Sequence, residues 1–268
     1  MAADRVTATP PRWRQWLATL RRVWVTTGAT AGAIFIVWSL VAYRANAEAR
    51  AALTSSSTVT VTELDGYWRL QPRQPSEVGL LFFPGALVDP VAYVPVLHAV
   101  AERGYTALLI QVPRRGAFGG AESPELVARY TRALRETGQG VGPVHWVVGG
   151  HSRGGVISCN VVRSSPPEIG GLVLIGTSHP REFSLAHLEI PVTQVYGTRD
   201  TVADVDKVIA ARRNLPSSLT IVEIDGGNHS QFGSYGFQPG DWPATISRAE
   251  QQRRTVDAIV GALSRARE

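Results

Sequence analysis

The apolar positions of this chain fall into two regimes. Residues 23–43 are 21 consecutive positions without a charge, centred on Ala29-Thr30-Ala31-Gly32-Ala33-Ile34-Phe35-Ile36-Val37-Trp38-Ser39-Leu40-Val41. From residue 58 the apolar runs become short and alternate with amphipathic stretches. The runs at 78–83, 107–112, 144–148, 172–175, 192–196 and 219–224, rich in Val, Ile, Leu and Phe, predict buried strands. Helical spacing predicts helices over 90–102, 124–136, 153–162, 202–214 and 246–266, the first capped by Asp89 with Pro90 at its first position. Two shorter runs, 58–62 and 67–70, flank Asp65-Gly66 and predict an antiparallel hairpin. Continuous apolar strands alternating with helices predict an α/β domain, a mostly parallel sheet with helices on both faces.

The first regime predicts a membrane span. A helix of 21 residues reaches about 30 Å, the thickness of a bilayer's hydrocarbon core. Trp24 and Tyr43 stand near its ends, where amphipathic rings favour the interface. Five Arg precede it and one follows. That bias predicts a basic cytoplasmic tail at 1–22, a transmembrane signal anchor at 23–43, a linker at 44–57 and an extracytoplasmic domain at 58–268. A cleaved signal peptide competes, since Ala45-Asn46-Ala47 has the small-residue form of a cleavage site, but the apolar run exceeds the roughly 7–15 residues of a signal core. A buried core helix also competes, against the run's terminal position and the charge step at Arg21-Arg22.

Composition narrows the function classes. The chain has 268 residues, 44% of them apolar, which suits one catalytic domain plus an appendage and makes disorder not the default reading. The net charge of +5 is local. Residues 1–44 hold six Arg and one Asp, and the remainder carries 21 basic and 21 acidic residues. The domain is therefore neutral, and a nucleic-acid footprint is not indicated. Cys159 is the only Cys, so no intrachain disulfide and no cysteine-based metal site forms.

One motif carries chemistry. Gly149-Gly150-His151-Ser152-Arg153-Gly154-Gly155 leaves an apolar strand and opens a predicted helix. In that setting Gly150-x-Ser152-x-Gly154 is a nucleophile elbow, with Ser152 held in a strained turn at the carboxyl end of the sheet. A serine hydroxyl needs a base. Of six His, His98 lies in a helical pattern, His145 begins a strand, His151 adjoins the serine on an elbow that directs neighbouring side chains elsewhere, and His179 and His187 occupy one loop. His229 follows the last strand in Asp225-Gly226-Gly227-Asn228-His229-Ser230 and is the candidate base. The base needs an acid to fix its tautomer. Asp200, just beyond Tyr196-Gly197, is the candidate; Asp204 and Asp206 fall on the following helical pattern, and Asp225 is too near His229. An oxyanion hole needs two backbone N–H donors. Arg153 and Ala86 are the candidates, the latter in Phe83-Pro84-Gly85-Ala86-Leu87, where Pro84 has no N–H.

These stretches resemble the α/β-hydrolase superfamily, and within it a bacterial group of small, often membrane-anchored hydrolases related to dienelactone-hydrolase-like enzymes. The resemblance covers about residues 75–268 and rests on 82–90, 149–155, 196–200 and 226–236, with Gln238-Pro239-Gly240-Asp241 and Ala244-Thr245-Ile246-Ser247 beyond. It implies the α/β-hydrolase fold and hydrolysis of an ester or related acyl bond by Ser152, Asp200 and His229, in that chain order. Ser152 stands where dienelactone hydrolases proper have Cys, so their particular activity is not implied. Arg153 stands where an apolar residue is common; its guanidinium either recognises an anionic acyl group or pairs with a nearby acid.

The expected function is therefore a serine hydrolase acting on a small acyl-containing substrate, with no metal and no organic cofactor. Thioesterase, amidase and acyltransferase chemistry would use the same residues, and a non-catalytic envelope binding protein on this scaffold is the alternative from another class. Only 16 residues separate the strands ending at 175 and starting at 192, which predicts a minimal lid. Oligomeric state is not legible in the sequence.

Overall fold

The computed structural model describes residues 12–138, 142–164 and 167–266. The first eleven residues of the predicted basic tail lie outside them. The chain divides into two units between Val41 and Ala42.

The described residues of the first unit all lie in one helix, α1 (Arg12–Ala42), longer than the predicted 23–43. Trp13, Trp16, Trp24, Ile34 and Val37 are exposed along it. Among the described residues no helix is long and apolar enough to cross a membrane, so the predicted span is not supported. Thr26, Thr27, Gly28, Thr30 and Gly32 dilute the apolar run that 34–37 concentrates.

The second unit begins with a helix that the sequence does not predict. The predicted linker 44–57 contains a short helix, α2 (Ala47–Ala51), whose N-cap Asn46 accepts from the Ala49 N–H. Ala45 and Ala49 are buried. The Asn46 N–H donates to Ser234 O and the Ala45 N–H to Asp89 Oδ2. The sequence reads as a linker because its Ala and Ser carry no hydrophobic period; the small alanines instead allow close packing.

Strands β1 (Val59–Leu64) and β2 (Tyr67–Pro72) form the predicted hairpin. After β3 (Val78–Phe83), Pro90–Tyr93 makes a 3-10 turn, and α3 (Val94–Glu102) follows it, so the predicted helix 90–102 is split. Next come β4 (Ala107–Ile110), α4 (Pro124–Gly138), β5 (His145–His151) and α5 (Arg153–Arg163). The strand β5 runs three residues past the predicted end at 148, because glycines 149 and 150 continue the ladder with Phe82 and Phe83. The chain ends through β6 (Ile169–Ile175), β7 (Val192–Gly197), α6 (Val205–Ala211), β8 (Thr220–Ile224) and α7 (Arg248–Arg265). Nothing helical or extended falls between β6 and β7, consistent with a minimal lid.

The eight strands form one sheet in the order β1-β2-β4-β3-β5-β6-β7-β8. β2 is antiparallel to both neighbours; the pairs from β4 through β8 are parallel. Alternation along the strands builds two cores. Leu81, Phe83, Leu108, Ile110, Trp146 and Val148 face one way and share a cluster with Leu126 and Leu134 of α4 and Ile157 and Val161 of α5. Leu80 and Phe82 face the other way, where the Phe82 ring meets Tyr93 at 5.3 Å and α3 packs on α7. Helices thus cover both faces, and the parallel strands bring their carboxyl ends, and the loops after β3, β5, β7 and β8, to one edge.

Candidate active site

The turn from β5 into α5 is built by close backbone approach. A Cβ on Gly150 would lie 2.3 Å from the Gly154 carbonyl carbon, and one on Gly154 would lie 2.0 Å from Phe83 O. Only glycine fits either position. Ser152 between them sits at φ 54, ψ −117, a left-handed strain paid at a site that aims its side chain outward. Gly154→Ala should lower the unfolding free energy by about 3 kcal/mol or more, since backbone must move to admit the methyl. Gly170→Ala in β6, where the added methyl meets nothing nearer than 3.7 Å, should cost under about 1 kcal/mol. Urea denaturation of the two variants checks this.

The N–H groups of the loop after β3 sort by elimination. The Gly85 N–H donates to Tyr93 Oη at 3.1 Å, and the Leu87 N–H to Arg115 O at 2.8 Å. Pro84 has none. Ala86, exposed between them, is the donor left over in this loop. A Cβ on Gly85 would lie 3.6 Å from Ser152 Cβ, which sets the loop against the serine. At the start of α5, Arg153 likewise has its N–H outside the helical ladder, because helix N-termini leave these donors unpaired.

The loop after β7 carries Asp200, 1% exposed. Its Oδ1 accepts from the N–H groups of Val202 and Ala203 at 3.0 and 2.8 Å. Its Oδ2 accepts from His229 Nδ1 at 2.8 Å. Those two N–H bonds wind 200–203 into a turn, so α6 starts at Val205 and not at the predicted 202. Asp204 is its N-cap, at φ 59, accepting from the Lys207 N–H and pairing with the Lys207 ammonium at 2.7 Å. Its carboxyl is held below the usual range chiefly by the bond to the Lys207 ammonium, with the Lys207 N–H adding less. Asp225 accepts from Thr198 Oγ1. Of the four candidate acids, Asp200 is the one brought to His229.

His229 itself is fixed by residues the sequence did not single out for this. Asp241 accepts from the His229 N–H at 3.1 Å and the Ser230 N–H at 2.8 Å. Burial raises the Asp241 carboxyl's pKa, opposed by those two bonds. Gln251 of α7 brackets Asn228, accepting from its N–H at 3.0 Å and donating to its carbonyl at 2.6 Å. The only sequence signal for Asp241 was its place in the 238–241 stretch.

His151 does more than adjoin the serine. Its ring lies 4.4 Å from that of His229 and 5.4 Å from Phe232, and its Nδ1 is 2.8 Å from Tyr93 Oη. Burial, reinforced by His229, holds its pKa well below the ordinary value, so it stays neutral. A neutral imidazole packed there shields the His229–Asp200 pair from water without competing for the carboxylate's charge. The remaining histidines divide plainly: His98 pairs with Glu102 in α3, and His145 and His187 are exposed. His179 lines a cavity beside Ser152. The Arg153 guanidinium pairs with Glu122, one of the two roles the sequence left open.

Comparison with known proteins bears on this architecture. The model for the alpha/beta hydrolase family matches residues 79–253. No curated protein matches the sequence. Solved structures share the fold at low identity. The esterase domain of a Rhodothermus marinus protein superposes with a TM-score of 0.53 at 16% identity, covering 74% of this chain and 91% of that one. An alpha-beta serine hydrolase homologue from Coxiella burnetii superposes at 0.51 and 16%, covering 78% and 99%. A protein described as a dienelactone hydrolase from Klebsiella pneumoniae superposes at 0.52 and 15%, covering 75% and 97%.

Proposed function

The chain belongs to the alpha/beta hydrolase family, and from that premise we propose that it is a serine hydrolase that cleaves a carboxylic ester through an acyl-enzyme. The observation that carries this reading is the pairing of Asp200 with His229, each 1% exposed, at the sheet edge that also holds an elbow serine in strained geometry. A buried carboxylate bound to an imidazole costs desolvation energy that a merely structural contact does not require.

In the proposed reaction Ser152 Oγ attacks the acyl carbon while His229 Nε2 takes its proton. Asp200 holds Nδ1–H, which leaves Nε2 free to accept and stabilises the imidazolium that results. The Ala86 and Arg153 N–H groups donate to the developing oxyanion, in line with their having no other acceptor among the described residues. His229 then protonates the departing alcohol, and a water activated by the same imidazole hydrolyses the acyl-enzyme. Nothing in these steps distinguishes an ester from a thioester or amide, because the residues act on the carbonyl.

Leaving-group chemistry decides among them. A matched series of esters, thioesters and amides sharing one acyl group should show the highest kcat/KM for the oxygen esters. Faster turnover of the thioester at equal acyl length would replace esterase by thioesterase, and no turnover of any member would favour the binding-protein reading.

A further inference from the structure

Ser152 opens onto a cavity of about 190 Å³ whose wall includes Arg153, Val156, His179 and Arg181. A second cavity, of about 220 Å³, shares Ser178 and Arg181 with the first and adds Lys207 and Arg213. Neither wall contains an Asp or a Glu. The basic residues differ in how far they are already neutralised. Arg153 pairs with Glu122 and Lys207 with Asp204. Among the described residues no carboxylate pairs with Arg181 or Arg213. Arg181 is instead braced by neutral groups, donating from Nε to Ser178 O at 3.2 Å and from a terminal nitrogen to Ser178 Oγ. A guanidinium fixed in this way keeps its charge and its remaining donors for a planar anion. His179 feels the same field. Burial first, then the charges of Arg181 and Arg153, lower its pKa, against the pull of exposed Glu182.

The wall also says which side of a substrate enters. On the serine-hydrolase reading, His229 protonates the leaving alcohol, so the alcohol lies on that histidine's side. Neither His229 nor any other residue of the loop after β8 lines the first cavity, whose wall is formed by the start of α5, the loop after β6 and Val202 and Ala203 of the loop after β7. The acyl chain is the part that fits there.

We propose that this cationic cavity selects esters whose acyl chain ends in a carboxylate, which the Arg181 guanidinium receives. The proposal rests on the serine-hydrolase reading of Ser152 and deepens it by naming a substrate class.

The test compares the mono-p-nitrophenyl ester of adipate with p-nitrophenyl hexanoate, which share a six-carbon acyl chain and differ in its terminal group. The adipate ester should have the higher kcat/KM. In Arg181→Gln the adipate-to-hexanoate ratio should fall by about tenfold to a hundredfold, as expected for losing a charge-assisted hydrogen bond. Arg213→Gln, which removes no hydrogen bond that braces the loop, should lower the ratio less. Arg73→Gln, at an exposed position after β2, should leave it unchanged. In the wild-type protein the ratio should also fall as salt rises from about 0.05 to 1 M, where the screening length shrinks to about 3 Å. A wild-type ratio at or below one, insensitive to Arg181 and to salt, would overturn the proposal while hexanoate turnover dependent on Ser152 left the hydrolase reading intact. An Arg181-dependent preference for acetylated 4-hydroxybenzoate over phenyl acetate would overturn the acyl-side placement. Failure to turn over any of these esters, with Ser152 also inert to a fluorophosphonate, would overturn both readings together.

Discussion

Ser152→Ala and His229→Ala are each expected to slow turnover of an activated ester by about 10⁴- to 10⁶-fold, and the double variant to be little slower than either single one. The two side chains perform one proton-coupled attack, so removing either removes the step, and the second loss has nothing left to remove. Ser152→Ala is conservative in packing, since the alanine adopts the same strained turn with one atom fewer. His229 is 1% exposed and its ring packs against that of His151, so its replacement also empties core volume. Thermal melts of both variants separate that cost from the chemistry. A His229→Ala protein that melts several degrees lower yet remains folded at the assay temperature should still be inactive. Additive losses in the double variant would mean that the residues act independently, which the mechanism does not allow.

Asp200→Asn is expected to cost about 10⁴ in turnover, and Asp204→Asn well under tenfold. The difference follows from what each oxygen does. In Asp200→Asn the amide oxygen can still accept from Val202 and Ala203, so the turn survives. That orientation presents the amide NH₂ to His229 Nδ1, which must then accept, and the ring proton moves to Nε2. A protonated Nε2 cannot take the proton of Ser152. Asp204 caps α6, and Asn is as good an N-cap as Asp. Steady-state kinetics with melting temperatures for both variants checks the pair; a reversal at unchanged stability would move the acid to Asp204.

What was legible in the sequence were features written in consecutive residues. The run 78–83 is apolar at every position and is β3 without adjustment. The glycines around Ser152 announce the elbow because the turn tolerates no Cβ there. The order Ser152, Asp200, His229 follows from which strands those loops end. The features that stayed hidden are contacts between distant segments. Tyr93 reaches His151 across 58 positions, and Gln251 reaches Asn228 across 23; neither pairing leaves a local pattern. Helical spacing puts the start of α6 too early because apolar Val202 and Ala203 extend the period, while Asp200 captures their N–H groups for a turn. The segment 44–57 lacks a period of either kind, so its docked helix could not be told from a linker. The predicted span lies within α1 up to Ala42, but among the described residues no helix is long and apolar enough to cross a membrane.

The central claim is that Ser152 is an activated nucleophile, and a fluorophosphonate probe reads that property directly by mass. Incubation followed by peptide mapping should give one phosphonyl adduct per chain, on Ser152, formed much more slowly in Asp200→Asn and absent in Ser152→Ala. An adduct on any other residue, or labelling of Ser152→Ala at the wild-type rate, would contradict the account.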